Sequence, residues 1–134
     1  MSTVDRATIL IVDDDVTLAR AFAQVLGGHG YDVRLAGGAE EALRELDRSR
    51  PDAILLDLRM PLINGLGFLY RIRAMAAYQS TPVIVITGDS TLGKEVLVEL
   101  GELGAQVHFK PITVNDLLAT TDALVRRRGL VFGE

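Results

Sequence analysis

The stretch Ala53-Ile54-Leu55-Leu56-Asp57-Leu58-Arg59-Met60-Pro61-Leu62-Ile63-Asn64-Gly65 decides how this chain is read. Four apolar residues lead into a lone carboxylate. A Pro-containing turn follows, and Asn64-Gly65 opens another helical pattern. A short apolar run bounded by turn signals reads as a buried strand. Asp57 therefore sits where a strand leaves the interior. An acidic group there costs free energy unless a cation or a metal faces it.

Working outward, Thr8-Ile9-Leu10-Ile11-Val12 is an unbroken apolar run rich in β-branched residues. It reads as a central strand buried on both faces. It ends in Asp13-Asp14-Asp15, and Asp15 is placed to cap the next helix by accepting from an orphan backbone donor. In that helix Leu18, Phe22, Val25 and Leu26 recur at helical spacing, and Gly27-Gly28 with Gly30 stops it. Tyr31 to Leu35 is a shorter alternating strand. Ala39 to Ser49 is a helix with Ala42, Leu43 and Leu46 inward.

A third helix is expected from about Gly65 to Ala77, with Leu66, Leu69, Ile72 and Met75 inward. Val83 to Thr87 is a fourth buried strand. Thr91 to Leu103 reads as a helix with Leu92, Val96, Leu100 and Leu103 on one face, weakened by Gly93 and Gly101. Ala105 to Phe109 is a brief last strand that runs into Lys110-Pro111. Thr113 with Asp116 resembles a capping box. The helix behind it carries Val114, Leu117, Leu118, Thr121, Leu124 and Val125. Arg126-Arg127-Arg128 suits the negative end of that helix's dipole, and Gly129 ends it.

Five strand-then-helix units predict a doubly wound α/β fold, a five-stranded parallel sheet with helices on both faces. Ligands in such folds sit beyond the carboxyl ends of the strands. Those ends are Asp13-Asp14, Asp57, Thr87 and Lys110; the second strand ends in Ala36-Gly37-Gly38 and carries no chemistry. Three carboxylates at close range resist ionisation unless cations compensate them. Lys110 compensates one. A hard divalent ion compensates the others, and carboxylate oxygens suit Mg²⁺. Asp57 can then stay ionised as a nucleophile toward phosphorus. A metal, an ammonium and a Thr hydroxyl are suitable partners for the three phosphoryl oxygens.

Composition narrows the partners. The 134 residues suffice for one domain with a real core. The expected domain spans 7–128, with 1–6 and 129–134 as short flexible tails. Net charge is −4 and Trp is absent, which argues against a direct nucleic-acid surface. Cysteine is absent, so disulfides and thiolate metal sites are excluded. No apolar run has membrane-spanning length and the first residues lack a signal-peptide core, so a cytoplasmic protein without membrane contact is expected.

The sequence resembles the receiver domain of two-component response regulators, of the chemotaxis-regulator type. The resemblance lies in Asp13-Asp14 after the first strand and in Asp57 followed by Met60-Pro61 and Asn64-Gly65. It continues in Thr87-Gly88 after the fourth strand and Lys110-Pro111 after the fifth. It implies the flavodoxin-like strand order 2-1-3-4-5. It implies that Asp57 accepts a phosphoryl group from a sensor histidine kinase or phosphotransfer protein. Asp14, Asp57 and the backbone carbonyl of Arg59 would bind Mg²⁺ directly, and Asp13 through water. Lys110 would pair with Asp57 and then with the phosphate, and Thr87 would move to bond the phosphoryl oxygen. That movement would shift the surface of the fourth helix, fifth strand and fifth helix toward an output domain or partner protein. Homodimerisation is left open. The resemblance makes the chain a signalling domain that catalyses only its own phosphorylation and dephosphorylation, not an enzyme. The Lys110–Pro111 bond is often cis in the family. Many members carry an aromatic three residues before the Lys; here Val107 stands there, and Phe109 is not given its role. Arg59 and Asp89 occupy positions at which members vary.

Three further readings compete. Ile9 to Leu18 also fits the D-x-D-x-T signature of haloacid-dehalogenase-type phosphohydrolases, with Asp13 as nucleophile and Asp15 as general acid/base. That leaves the Asp57 turn unexplained, and no strand after Lys110 offers another acidic pair. A nucleotide- or flavin-binding domain lacks its G-x-G-x-x-G after the first strand. A receiver-like binding module that is not phosphorylated would not need the whole residue set.

Overall fold

The computed structural model describes residues 6–60 and 63–127. The turn residues Pro61 and Leu62, Arg128 with the upper domain limit, the stop at Gly129, and both tails apart from Arg6 lie outside the described residues. Strands and helices alternate as β1 (Thr8–Val12), α1 (Val16–Gly28), β2 (Asp32–Ala36), α2 (Ala39–Arg48), β3 (Ala53–Leu56), α3 (Gly65–Arg73), β4 (Val83–Thr87), α4 (Lys94–Glu102), β5 (Ala105–Phe109) and α5 (Val114–Arg127). A short 3-10 turn, Ala76–Tyr78, follows α3. The sheet is parallel throughout, in the order β2-β1-β3-β4-β5.

The pleat explains why the strand runs are apolar without a break. In β1, Leu10 and Val12 enter one core while Ile9 and Ile11 enter the other. Ile54 and Leu56 in β3, and Val83 and Val85 in β4, join the first; Leu55, Ile84 and Ile86 join the second. α2, α3 and α4 cover the first face through Leu46, Phe68, Ile72 and Leu100. α1 and α5 cover the other through Leu26, Leu117 and Val125. Each fully buried aliphatic side chain contributes about 1.5–3 kcal/mol relative to exposure, so the two cores hold the sheet rigid.

Helix ends depart from the periodic expectation. α3 stops at Arg73, short of Ala77, because the chain is extended at Met75 (φ −91°, ψ 127°). Met75 therefore turns outward, 39% exposed, and Phe68 is buried in the core in its stead. The 3-10 turn brings in Tyr78, whose hydroxyl donates to the Leu46 carbonyl at 2.7 Å. Arg73 secures the same corner, donating at 2.7 Å to the carbonyls of both Leu103 and Tyr78. Val114 lies in the first turn of α5 and is exposed rather than core. β2 begins one residue later than expected, and Tyr31 instead sends its hydroxyl to Asp122 on α5. Gly30, at φ 106°, makes the turn after α1.

α4 is the weakest-held helix. It begins at Lys94, and Gly93 is its N-cap residue, so only Gly101 weakens the interior. Of its nine residues Leu100 alone is fully buried. A helix with so little buried surface opens at low free energy. Amide hydrogens of α4 are expected to exchange at least roughly tenfold faster than those of α1 around Ala19–Leu26. Hydrogen exchange followed by mass spectrometry or NMR checks this, and equal protection would contradict it.

Candidate functional site

The last hydrogen bonds of the parallel ladder place the site. Asp13 N donates to the Ala36 carbonyl at 3.1 Å, Asp57 N to Val12 at 3.0 Å, and Lys110 N to Thr87 at 2.8 Å. Three chemically active residues thus stand one step beyond their strands, held by the sheet itself. The Lys110–Pro111 bond is cis. Asn64 caps α3, its side-chain oxygen accepting from Gly67 N at 2.9 Å, and Gly65 N donates to the Leu58 carbonyl at 2.9 Å. A Cβ on Gly65 would lie 2.4 Å from the Asp57 carbonyl oxygen and 2.7 Å from Leu58 Cα. The start of α3 therefore rests directly on the main chain of Asp57, which only glycine permits.

Asp13 and Asp57 are buried, 5% and 7% exposed, and Thr87 is fully buried. Asp14 is exposed. One carboxylate oxygen from each of Asp13, Asp14 and Asp57 lies within 4.8 Å of the others. Lys110 Nζ approaches both buried carboxylates, 3.5 Å from Asp13 Oδ2 and 3.9 Å from Asp57 Oδ2. The sequence led to Lys110 pairing with Asp57; the ammonium is shared and lies nearer Asp13. Asp13 Oδ1 also accepts from Asp15 N at 2.9 Å, and Asp57 Oδ1 from Arg59 N at 3.3 Å. Burial raises the Asp57 carboxyl above the ordinary carboxylate range; Lys110 opposes this, Asp13 adds to it, and the Arg59 amide and Asp14 act more weakly in opposite senses. An all-oxygen set with more negative than positive charge fits a hard divalent cation.

Thr87 Oγ1 accepts from Asp89 N at 3.2 Å, which leaves its hydroxyl proton available to an incoming acceptor. Asp15 caps α1, accepting from Leu18 N at 3.1 Å. That gives Asp15 the capping role its position at the start of α1 indicates. Val107 is half-buried against the core that contains Leu10, and Phe109 is 44% exposed opposite Thr87 in the β4–β5 register. His29 at the end of α1 pairs with Asp122 at 3.1 Å. The side-chain partner of Arg59 has no signature in the sequence: its Nε lies 3.5 Å from Asp89 Oδ2.

Two outcomes follow from this geometry. Gly65→Ala should cost about 1–3 kcal/mol, because the methyl meets backbone that cannot yield cheaply; urea unfolding checks it, and a neutral result would mean α3 can lift away. For Asp57 the carboxyl is raised in the fold, so folded protein holds the proton more tightly than unfolded chain. Its stabilising contribution is complete below the ordinary carboxylate range and is lost as pH rises through the raised value. At neutral pH without divalent ions, Asp57→Asn should therefore stabilise the protein by about 1 kcal/mol, and the gain should shrink as pH falls into the carboxylate range. Thermal unfolding in EDTA at two pH values measures both.

Comparison with known proteins accounts for the arrangement. A family model described as the response regulator receiver domain matches residues 9–122. The transcriptional regulatory protein PrrA of Mycobacterium tuberculosis is 36% identical over 122 residues, covering 90% of this chain and 51% of that protein. The DNA-binding response regulator MtrA of Mycobacterium leprae is 36% identical over 124 residues, covering 91% of this chain and 52% of that protein. The chain thus spans about half the length of these curated relatives. The structure of the Vibrio cholerae chemotaxis protein CheY4 superposes with a TM-score of 0.82 at 29% identity, covering 90% of this chain and 99% of that one. The family model spans most of the chain, and the doubly wound sheet in the order 2-1-3-4-5 superposes on that of the chemotaxis protein: the chain belongs to the response regulator receiver domain family.

Proposed function

We propose that Asp57 takes a phosphoryl group from a phosphohistidine on a sensor histidine kinase or phosphotransfer protein. The observation that carries this is the Lys110 ammonium, 3.5 Å from Asp13 and 3.9 Å from Asp57, beside a three-carboxylate group. An Asp57 oxygen attacks phosphorus, the P–N bond to the imidazole breaks, and the imidazole leaves with the electron pair. The product is an acyl phosphate on Asp57. Lys110 neutralises one phosphoryl oxygen and the Thr87 hydroxyl donates to another. Asp14, Asp57 and the Arg59 main-chain carbonyl would hold Mg²⁺ directly, with Asp13 bound through water. When bound, the ion supplies the positive charge that lets phosphate approach three carboxylates. Water then attacks phosphorus and releases inorganic phosphate, so the chemistry is confined to the domain's own modification.

The output surface in this reading is α4-β5-α5, on which Val98, Phe109 and Val114 are exposed. Thr87 links it to the site, since its carbonyl accepts from Lys110 N and its hydroxyl from Asp89 N. We assign residues 7–128 to the receiver unit, with an output domain or partner protein on that surface, and homodimerisation as a second use of it. A net charge of −4 supports a receiver that does not itself touch nucleic acid; any DNA contact would belong to an output segment like those of the relatives named for it. No helix among the described residues is long and apolar enough to cross a membrane, and a cytoplasmic setting suits the proposed donors.

The test is incubation with Mg²⁺ and acetyl phosphate, followed by intact mass. One phosphoryl group is expected on the wild type, none on Asp57→Asn, and none when EDTA is present. An Asp57→Asn protein that still gains the group would place the acceptor elsewhere.

A further inference from the structure

Arg59 puts a second cation beside a site that has to admit another. Its main chain belongs to the site, with Arg59 N on Asp57 Oδ1 at 3.3 Å. Its side chain is long and 72% exposed. It lines one open groove of about 570 Å³ together with Asp14 and Asp89. Within that groove the guanidinium stands on Asp89, Nε to Oδ2 at 3.5 Å. Asp89 is a fixed partner. Its Oδ1 accepts from Thr91 N at 3.0 Å and from the Thr91 hydroxyl, and its own N donates to Thr87 Oγ1 at 3.2 Å. Its side chain is only 18% exposed. A pinned carboxylate therefore faces a long, exposed arginine side chain.

We propose that Asp89 is a positioning residue that holds the Arg59 guanidinium away from Asp14 and Asp57, keeping their oxygens open to a divalent cation. The proposal rests on the metal-assisted reading given above. Asp13, Asp14 and Asp57 set against Lys110 leave two negative charges uncompensated, and such a group attracts any cation within reach. Arginine is a strong competitor, because its planar fork binds carboxylate in a bidentate manner and never loses its proton. Released from Asp89, Arg59 would settle on the acidic group, cancel one of those charges and cover ligand oxygens. A divalent ion would then have to displace it. Asp89 and Arg59 thus act on metal affinity as a coupled pair.

The test is calorimetric titration of the full chain with Mg²⁺ for wild type, Asp89→Asn, Arg59→Ala and the double variant. Asparagine keeps a side-chain oxygen for Thr91, so the loop is retained, and unfolding curves in EDTA verify that each variant is folded. Asp89→Asn should weaken Mg²⁺ binding roughly five- to tenfold by freeing one unit charge onto the site. In the Arg59→Ala background the same change should matter by under about twofold, since only a screened exposed charge is lost. Arg59→Ala alone should bind at least as tightly as wild type. An equal loss in both backgrounds, no loss in either, or weaker binding by Arg59→Ala overturns the positioning role. A wild type that does not bind Mg²⁺, or an Asp57→Asn protein that binds it undiminished, overturns the metal reading and the positioning role with it. Wild-type binding without coupling overturns the positioning role alone.

Discussion

Asp13 and Asp57 are buried and share one ammonium, Lys110. Taking two carboxylates out of water costs several kcal/mol each, and an ion pair of ordinary length offsets that only in part. The sheet forces the arrangement. In a parallel sheet every strand delivers its carboxyl end to the same pole, so residues 13, 57, 87 and 110 become neighbours although they are far apart in sequence. Asp14 adds a third negative charge at the rim. The pole is left short of positive charge, and the proposed binding of a divalent cation and a phosphoryl group draws on that deficit.

The surrounding structure makes the deficit tolerable by fixing main chain rather than side chains. The ladder's terminal hydrogen bonds hold Asp13, Asp57 and Lys110, and α3 sits on the Asp57 peptide through Gly65. Behind this pole β1, β3 and β4 are buried on both faces. The rigidity stops at one side. α4 has a single fully buried residue, and β5 is an edge strand with Phe109 exposed. Thr87 lies between the rigid pole and this thinner packing: it belongs to β4 and accepts from both Asp89 N and Lys110 N, which is the link the proposed function uses.

Strands were legible because burial on both faces demands unbroken apolar runs, and such runs end where polar residues begin. β1, β4 and β5 have the limits their residues indicate, and β2 differs by one. Helix ends were less so. The spacing of Leu66, Leu69 and Ile72 continues to Met75, but periodicity does not say where the chain must leave the helix to pack Tyr78 under Leu46. In sequence a cap and a first-turn residue look alike, so Gly93 resembles a weak interior position although it is the cap, and Val114 continues an apolar stripe although the first turn of its helix reaches past the core. Pairings between loops had no signature at all: Arg59 with Asp89, His29 and Tyr31 with Asp122, Arg73 with the Leu103 carbonyl.

By itself the sequence determined the alternation of strand and helix, the chemical identity of the residues at the strand ends, and the need for positive charge near Asp57. The strand order came from family resemblance, and the parallel pairing in register bears it out. Tertiary structure alone decided that Lys110 lies nearer Asp13 than Asp57, that residue 65 can carry no side chain, and that the Arg59 guanidinium stands on Asp89. The physical reason is one of range. Periodicity and residue chemistry are local properties that a chain carries wherever it goes. A distance between atoms of residues 13 and 110 is set by register, by pleat and by the packing of helices on the sheet, and these exist only once the whole domain has closed.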